Sequence, residues 1–443
     1  MATSTSERIF VWTWLPGESE PVPAGALAHR GGSDDLSFRY GDRYLERSGA
    51  VSLYGPELPL QRGMWFSATE NLGMPGCLRD AAPDSWGRRV IINRRTRQSF
   101  AETDTESLTE SVYLLESDSN RLGAVDFQRS ATEYLPREED ATLEQLQTAT
   151  ELVARGEHLP DGLRAAVIGG TAIGGARPKA ILKAGDTQYI AKFSTSDDPL
   201  DVVGAEAASI YMARAIGIPV ADWRVERCLG RKVLLLERFD RLPAGRRRMV
   251  VSGMTMLGVP ETYIPIGTYP ALLDVLRERA VTGLGLGRDV FQRIAFNIAI
   301  SHSDDHLRNH AAFWDGAHLE LTPAYDLSPV SRTGDSSDQA LAYGRAGERR
   351  SNLASLIAAC AIYDLSRPDA IGLVDSMITT MHESWPQAAD AAQLTTVDRE
   401  TMWGHQFLHP AALYDLTPRS TPVNFVRSAA PVPLIPDADT PPY

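Results

Sequence analysis

The feature that most constrains this chain is a polar segment between an apolar helix and a hairpin. Residues 302–309, HSDDHLRN, carry three of the residue types that perform chemistry: aspartate, histidine and asparagine. The preceding residues 290–300 repeat apolar side chains at helical spacing, which predicts a helix. Asp315-Gly316 then stands between two apolar runs, a pattern typical of a β-hairpin. Helices and strands therefore follow each other closely, and the sequence predicts an α+β fold.

Composition excludes several classes of protein. The 443 residues correspond to about three compact units. With 44 Lys and Arg against 57 Asp and Glu, the net charge is −13, so binding nucleic acid by charge alone is not expected. Three widely spaced cysteines form no CxxC motif, which favours a cytoplasmic protein without a disulfide framework. No apolar run reaches about 18 residues, so neither a membrane span nor a membrane partner is predicted.

Residues 1–134 are predicted to form a β-rich N-terminal subdomain. Ile9–Leu15, Leu36–Tyr40 and Tyr44–Leu45 are short strand-like segments separated by glycine-containing turns. Asp84 is the expected N-cap of a helix that follows it. No residue of this region is assigned a chemical role.

Residues 135–245 are predicted to form a second unit with a sheet. Thr142 and Gln145 match a capping box at the start of a helix over 142–157. Two strand-like runs on either side of Gly185-Asp186 predict a hairpin that ends at Lys192-Phe193. A helix over 205–216 and a strand over 233–237 complete this unit. Residues 246–416 are expected to be mostly helical, and the last 27 residues contain seven prolines and are expected to be an extended tail.

The polar segment has the residues that phosphoryl transfer requires. That reaction needs one carboxylate to accept the proton of the attacking hydroxyl, and a second carboxylate with an amide oxygen for Mg²⁺. Asp304 and Asn309 have the D-x4-N spacing of a kinase catalytic loop, and His302 stands where the histidine of H-x-D belongs. Asp326 follows one hairpin later, where a second metal-binding aspartate is expected. We therefore predict that Asp304 is the catalytic base and that Asn309 and Asp326 hold the metal.

Upstream residues supply candidate nucleotide contacts. The glycine-rich run 169–175 would let backbone N–H groups approach phosphates, and Lys192 would contact them from the following strand. Glu206, 14 residues later, either pairs with Lys192 or is a surface glutamate; the sequence leaves both open. Glu237 and Phe239 are candidates for the edge of an adenine base, mainly through their main chain.

A zinc site is the main rival within the same segment. His302, His306 and His310 have the i, i+4, i+8 spacing of ligands on one face of a helix. The position of the HExxH glutamate is Ser303, and the intervening aspartates favour turns over a helix interior. The pattern therefore favours phosphoryl transfer over zinc hydrolysis.

Several segments of the chain point to one family: DSWGRRV (84–90), LGAVDF (122–127), GGARPK (174–179), ERFDR (237–241), SDDHLRN (303–309) and PAYDLS (323–328). Together they resemble the HipA family of serine/threonine kinases, the toxins of bacterial type II toxin–antitoxin pairs. The resemblance implies a protein-kinase-like, two-lobed fold with a mostly helical C-terminal domain. It also implies ATP and Mg²⁺ as cofactors, with Gly174, Gly175, Lys179 and His306 near the nucleotide. Ala172 stands where many members carry a serine that is autophosphorylated.

The resemblance also implies partners. Members pair with a small HipB-like helix-turn-helix antitoxin that binds operator DNA, so DNA contact would be indirect. Studied members phosphorylate translation proteins such as aminoacyl-tRNA synthetases, which makes a protein substrate the expectation here. The sequence leaves two alternatives open. One is a small-molecule phosphotransferase of the aminoglycoside or choline kinase type, and the other is a non-catalytic subunit of a DNA-bound repressor complex.

Overall fold

The structure is a computed structural model. It describes residues 8–29, 35–68, 72–96, 104–138, 141–155, 157, 159–160, 162–163, 179–196, 198, 200–260, 267–281, 285–332, 334 and 336–416.

The N-terminal subdomain is built on a four-stranded antiparallel sheet. Its strand order is β3-β2-β1-β4, with β1 (Ile9–Trp14), β2 (Pro21–His29), β3 (Leu36–Tyr40) and β4 (Val125–Gln128). Strand β4 joins β1 across more than one hundred residues of intervening chain. The helices of this part are Asp42–Leu45, Gly76–Arg79, Ser85–Thr96 and Glu110–Glu116.

One predicted strand of this subdomain is wrong. Tyr44 and Leu45 lie in the single helical turn Asp42–Leu45, which begins after Gly41. The side chain of Tyr44 is buried, and its hydroxyl donates to the carbonyl of Val51 at 2.7 Å. Two adjacent apolar residues do not distinguish a strand from one turn of helix, and tertiary packing of the tyrosine decided the outcome.

A second four-stranded antiparallel sheet carries the predicted lysine. Its order is β5-β6-β8-β7, with β5 (Lys179–Ala184), β6 (Thr187–Phe193), β7 (Trp223–Cys228) and β8 (Arg231–Glu237). The predicted hairpin is confirmed, and Gly185 has the positive φ of 60° that its tight turn requires. The helices of this part are Leu143–Ala154 and Val202–Ile216.

The remaining part is mostly helical, as predicted, with one small sheet. Strands β9 (Met249–Ser252), β10 (Ala311–Trp314) and β11 (Leu319–Leu321) form it in the order β11-β10-β9. The hairpin around Asp315-Gly316 is confirmed, whereas β9 had no distinct signal in the sequence. The helices are Gly253–Leu257, Tyr269–Arg279, Leu286–Ala299, Leu353–Ala358, Arg367–Ala391, Thr396–Met402 and Pro410–Leu413.

Helix caps follow the sequence closely. Thr142 and Gln145 form both bonds of the capping box at the start of Leu143–Ala154. The carboxylate of Asp84 accepts from the backbone N–H of Gly87 at 2.8 Å, which confirms it as an N-cap. Helix Val202–Ile216 begins three residues earlier than predicted, because Asp201 caps its N-terminus.

The N-terminal subdomain shares a hydrophobic core with the small sheet. Trp314 of β10 packs edge-on against Tyr54, with ring centroids 5.3 Å apart, and its indole N–H donates to Ser52 at 2.8 Å. Arg247 lies over the ring of Trp14, 3.5 Å from the centroid. These contacts fix the N-terminal sheet against the part of the chain that carries the polar segment.

Among the described residues, no helix is both long and apolar enough to cross a membrane. The three cysteines are buried and unpaired, as the sequence indicated.

Candidate functional site

Three charged side chains from distant parts of the chain meet at one point. The Nζ atom of Lys192 on β6 lies 2.6 Å from a carboxylate oxygen of Glu206 and 2.6 Å from one of Asp326. Glu206 projects from helix Val202–Ile216 and is only 5% exposed. The structure therefore confirms that Glu206 pairs with Lys192 and is not a surface residue.

The charges of this cluster support one another. Lys192 holds the pKa of the Asp326 carboxyl well below its usual range, and burial only partly opposes this effect. Burial by itself would lower the pKa of Lys192, but Asp326 and Glu206 together raise it above its ordinary value. Both Lys192 and Asp326 are consequently charged at neutral pH. The Asp326 side chain remains 43% exposed, so its carboxylate is accessible to a ligand.

Lys179 brings a second positive charge to the same place. It lies directly opposite Lys192 in the β5–β6 ladder and is buried. Burial lowers the pKa of Lys179, and the carboxylate of Asp84 partly offsets this effect. A buried lysine opposite a second, partly buried lysine is costly unless anionic groups are close. Gly174 and Gly175, which are also predicted to lie near the nucleotide, are outside the described residues.

The polar segment forms an irregular loop that exposes one carboxylate. Asp304 is exposed, whereas Asn309 is buried. The amide nitrogen of Asn309 lies 3.4 Å from the Asp304 carbonyl oxygen and 3.4 Å from Nε2 of His302. Because the amide N–H groups face these acceptors, the amide oxygen is left for another partner. A carboxylate and an amide oxygen are the ligands Mg²⁺ prefers, so Asp326 and Asn309 fit the predicted metal.

Close backbone contacts hold the loop on two sides. The N–H of Gly253 donates to the carbonyl of His310 at 2.7 Å. A Cβ atom at Gly253 would lie 2.7 Å from the carbonyl oxygen of Leu307, so glycine is required at this position. On the other side, the N–H of Ala340 donates to the carbonyl of Ser303 at 2.8 Å.

The three histidines of the zinc alternative do not share a helix face. Residues 302–306 have no regular structure, and only Leu307–Asn309 forms a short 3-10 turn. Within the described ranges, no group of histidine, cysteine or acidic side chains is arranged to hold a metal by itself. The helical spacing on which the alternative rested is absent, because the aspartates and asparagine favour a loop.

The other predicted nucleotide residues are Glu237, Phe239 and His306. Phe239 contacts Tyr325, the neighbour of Asp326, with ring centroids 5.9 Å apart. Glu237 ends β8, and its N–H donates to the carbonyl of Asp222 at 2.7 Å. His306 is half-buried. These positions leave the nucleotide roles of Glu237, Phe239 and His306 as predictions.

The N-terminal subdomain contacts the start of the helix that lies next to the polar segment, which the sequence did not indicate. The carboxylate of Asp80 accepts from the N–H and the hydroxyl of Ser252, at 2.7 and 2.6 Å. Ser252 caps the helix that begins at Gly253, beneath the loop. Burial lowers the pKa of Arg308 in the loop, and the carboxylates of Asp80 and Asp84 oppose this effect. In the sequence, the only feature that could have indicated this contact is the pair of acidic residues Asp80 and Asp84.

The fold and the cluster define the class of protein. A sheet lysine paired with a helix glutamate, followed by an Asp-x4-Asn loop and a second aspartate, is the arrangement of a protein-kinase-like fold with two lobes. Two family models match the chain: the HipA N-terminal domain over residues 19–126 and the HipA-like C-terminal domain over residues 171–385. The chain belongs to the HipA family.

Comparison with solved structures agrees on the fold. HipA from Shewanella oneidensis MR-1, in a complex with HipB and operator DNA, matches with a TM-score of 0.61 and 18% identity. The match covers 88% of this chain and 94% of that one. The Helicobacter pylori proinflammatory kinase CtkA matches with a TM-score of 0.34 and 13% identity, over 54% of this chain and 92% of its own, and that score is too low to indicate a shared fold. No curated protein sequence matches the chain.

Proposed function

We propose that this protein is an ATP- and Mg²⁺-dependent serine/threonine protein kinase that acts as the toxin of a HipBA-like toxin–antitoxin system. The observation that carries the proposal is the contact of Lys192 with both Glu206 and Asp326 at 2.6 Å. In kinases this lysine–glutamate pair must be in place for transfer, and the second aspartate binds the metal.

Each residue of the site has a distinct part in the reaction. Lys192 binds and orients the phosphates of ATP, and Glu206 holds the lysine in place. Asp304, exposed at the surface of its loop, accepts the proton of the attacking hydroxyl. Mg²⁺, held by Asp326 and Asn309, would neutralise charge on the phosphates. Lys179 adds positive charge beside Lys192 for the same anionic groups.

The partners in this proposal follow from the family. HipA of Shewanella oneidensis occurs with HipB and operator DNA. A HipB-like helix-turn-helix antitoxin would supply the DNA contacts that a chain of net charge −13 does not favour. The substrate class we propose is a translation protein such as an aminoacyl-tRNA synthetase.

The Asp304→Asn variant tests the proposal. A positioned general base contributes about 10²–10⁴-fold to the rate, so transfer of phosphate to protein should fall by that factor. The side chain is exposed, so the unfolding temperature should match that of the wild type. Transfer is measured with labelled ATP and purified translation factors, and the modified residue is identified by peptide mass mapping.

The alternatives give different results in the same assay. A small-molecule phosphotransferase would label an aminoglycoside or choline and leave proteins unmodified. A non-catalytic subunit would bind a helix-turn-helix partner but transfer no phosphate to any acceptor. Wild-type rates in Asp304→Asn would contradict the assignment of the base.

A further inference from the structure

The catalytic loop contains two adjacent aspartates in opposite environments. Asp304 is exposed, whereas Asp305 is only 2% exposed. The proposed reaction uses Asp304 and gives Asp305 no part. A buried carboxylate is costly unless it is hydrogen-bonded or paired, so its partners explain why it is there.

Asp305 is bonded to three separate elements. One carboxylate oxygen accepts from the side-chain amide of Asn297 at 2.6 Å and lies 3.0 Å from Nε2 of His310. The hydroxyl of Tyr269 donates to the same oxygen. Tyr269 begins one helix, Asn297 lies in the last turn of another, and His310 directly precedes β10. A single oxygen thus ties both helices and the strand to the middle of the loop.

The charge state of Asp305 suits this role. Burial alone would raise the pKa of its carboxyl, but His310 and the other partners lower it to about 2. The group is therefore ionised at neutral pH, and hydrogen bonds to an ionised acceptor are about twice as strong as neutral ones.

The space behind the loop is too small to hold a ligand. A cavity of about 10 Å³ lies between Asp305, Asn297 and Arg293. That volume is about the minimum that holds a single water molecule, so neither a nucleotide nor a substrate group fits. The bonds of Asp305 therefore serve the loop and not a second binding site.

Asp305 is also linked to the proposed base, Asp304, and to the proposed metal ligand, Asn309. Asp304 is its direct neighbour, and Asn309 donates to the Asp304 carbonyl and to His302. His302 in turn lies 3.9 Å from the second carboxylate oxygen of Asp305. A shift of the loop would therefore move both the base and the metal ligand.

We propose that Asp305 is a positioning residue, which holds the catalytic loop against Tyr269, Asn297 and His310 so that Asp304 and Asn309 keep their productive geometry. The proposal rests on the proposed function. Loss of a partner that orients an active-site group typically costs about 10- to 100-fold in activity.

The Asp305→Asn variant tests this role. It keeps the size of the side chain and removes the charge. We expect kcat for phosphate transfer to fall by about 10- to 100-fold while the KM for ATP changes little, because the effect is on the transition state. Assays are run well below the unfolding temperature of each variant, so that all molecules are folded.

A matched control separates positioning from stability. Asp126 is another fully buried carboxylate, bonded to Arg121 at 2.7 Å and remote in sequence from the catalytic loop. Asp126→Asn should lower the unfolding temperature and keep the wild-type kcat. If Asp305→Asn does not fold, Tyr269→Phe removes one donor to the same carboxylate, and it should lower kcat without changing the KM for ATP.

The outcomes distinguish the two proposals. Wild-type kcat in Asp305→Asn, or in Tyr269→Phe where that variant replaces it, would overturn the positioning role and leave the kinase assignment intact. An equal loss of kcat in Asp126→Asn would also overturn it, because any buried charge would then have the same effect. No transfer by the wild type would overturn the proposed function, and the inference with it.

Discussion

Two charged clusters in this molecule differ in how completely their charges are enclosed. The lysine cluster, Lys192 with Glu206 and Asp326, leaves the Asp326 side chain 43% exposed. The arginine cluster, Arg238 with Asp240 and Arg241, has side chains that are 0%, 2% and 8% exposed. Both contain one group of one sign between two of the other. Only the lysine cluster keeps a charged atom within reach of a ligand.

The arginine cluster is occupied by contacts within the chain. Arg238 donates to the carbonyl of Asn120 at 3.1 Å and to that of Arg121 at 2.6 Å. Asp240 accepts from the N–H of Gly123 at 2.7 Å. These contacts join the N-terminal subdomain to the end of β8, beside the proposed nucleotide site. In this molecule the fully enclosed arginine cluster joins two subdomains, whereas the incompletely enclosed lysine cluster forms the candidate site.

The largest effect should come from breaking the arginine cluster. Asp240→Ala leaves two guanidinium groups buried without their carboxylate, which typically costs about 3–5 kcal/mol. We expect the free energy of unfolding to fall by that amount, as measured by denaturation in urea. Asp126→Asn, a milder change at a second buried ion pair, serves as the reference. A loss below about 1 kcal/mol, the value of an exposed pair, would contradict the view that this cluster joins the subdomains.

A smaller effect of opposite sign is expected at Asp118, beside the same cluster. Burial raises the pKa of its carboxyl to about 6, and the bond from the N–H of Asn120 only partly opposes this. The raised pKa means that the native state binds the proton more tightly, so stability falls as pH rises from about 4 to about 6. Asp118→Asn should therefore add on the order of 2–3 kcal/mol at pH 7.

The pH dependence provides the check on Asp118. In urea denaturation, the free energy of unfolding at pH 7 relative to that at pH 4 should be higher in Asp118→Asn than in the wild type, because the variant lacks the carboxyl that loses stability over this range. Destabilisation of the variant at pH 7 would mean that the ionised carboxylate is favourable there. Asp118 would then belong to the arginine cluster as its second negative charge.

The smallest change in stability is expected at the lysine cluster. Asp326→Ala removes a half-exposed partner while Glu206 still pairs with Lys192, so the loss should be about 1 kcal/mol or less. The same variant should lose the rise in unfolding temperature that ATP with Mg²⁺ gives the wild type, because a ligand stabilises only through its binding. A full rise in the variant would exclude Asp326 from the metal site and remove the contrast between the clusters.

Local sequence predicted the elements whose causes are local. The capping box at Thr142 and Gln145, the N-cap at Asp84 and the turn at Gly185 depend on residues at most three positions apart. The order of Lys192, Asn309 and Asp326 was also sufficient to predict a phosphotransferase site. The roles of these residues stay predictions until the variants are measured.

Tertiary structure decided what depends on distant residues. Strand β9 forms because Met249–Ser252 pairs with β10, about sixty residues later, and no local pattern distinguished it. Asp304 and Asp305 are adjacent and chemically identical in the sequence. In the fold, Asp305 is buried and bonded to Tyr269, Asn297 and His310, whereas Asp304 is exposed. Asp80 meets Ser252 across 172 positions. The sequence determined which groups can react, whereas burial and long-range hydrogen bonds decided which of them face a ligand, because both depend on neighbours that only the fold brings together.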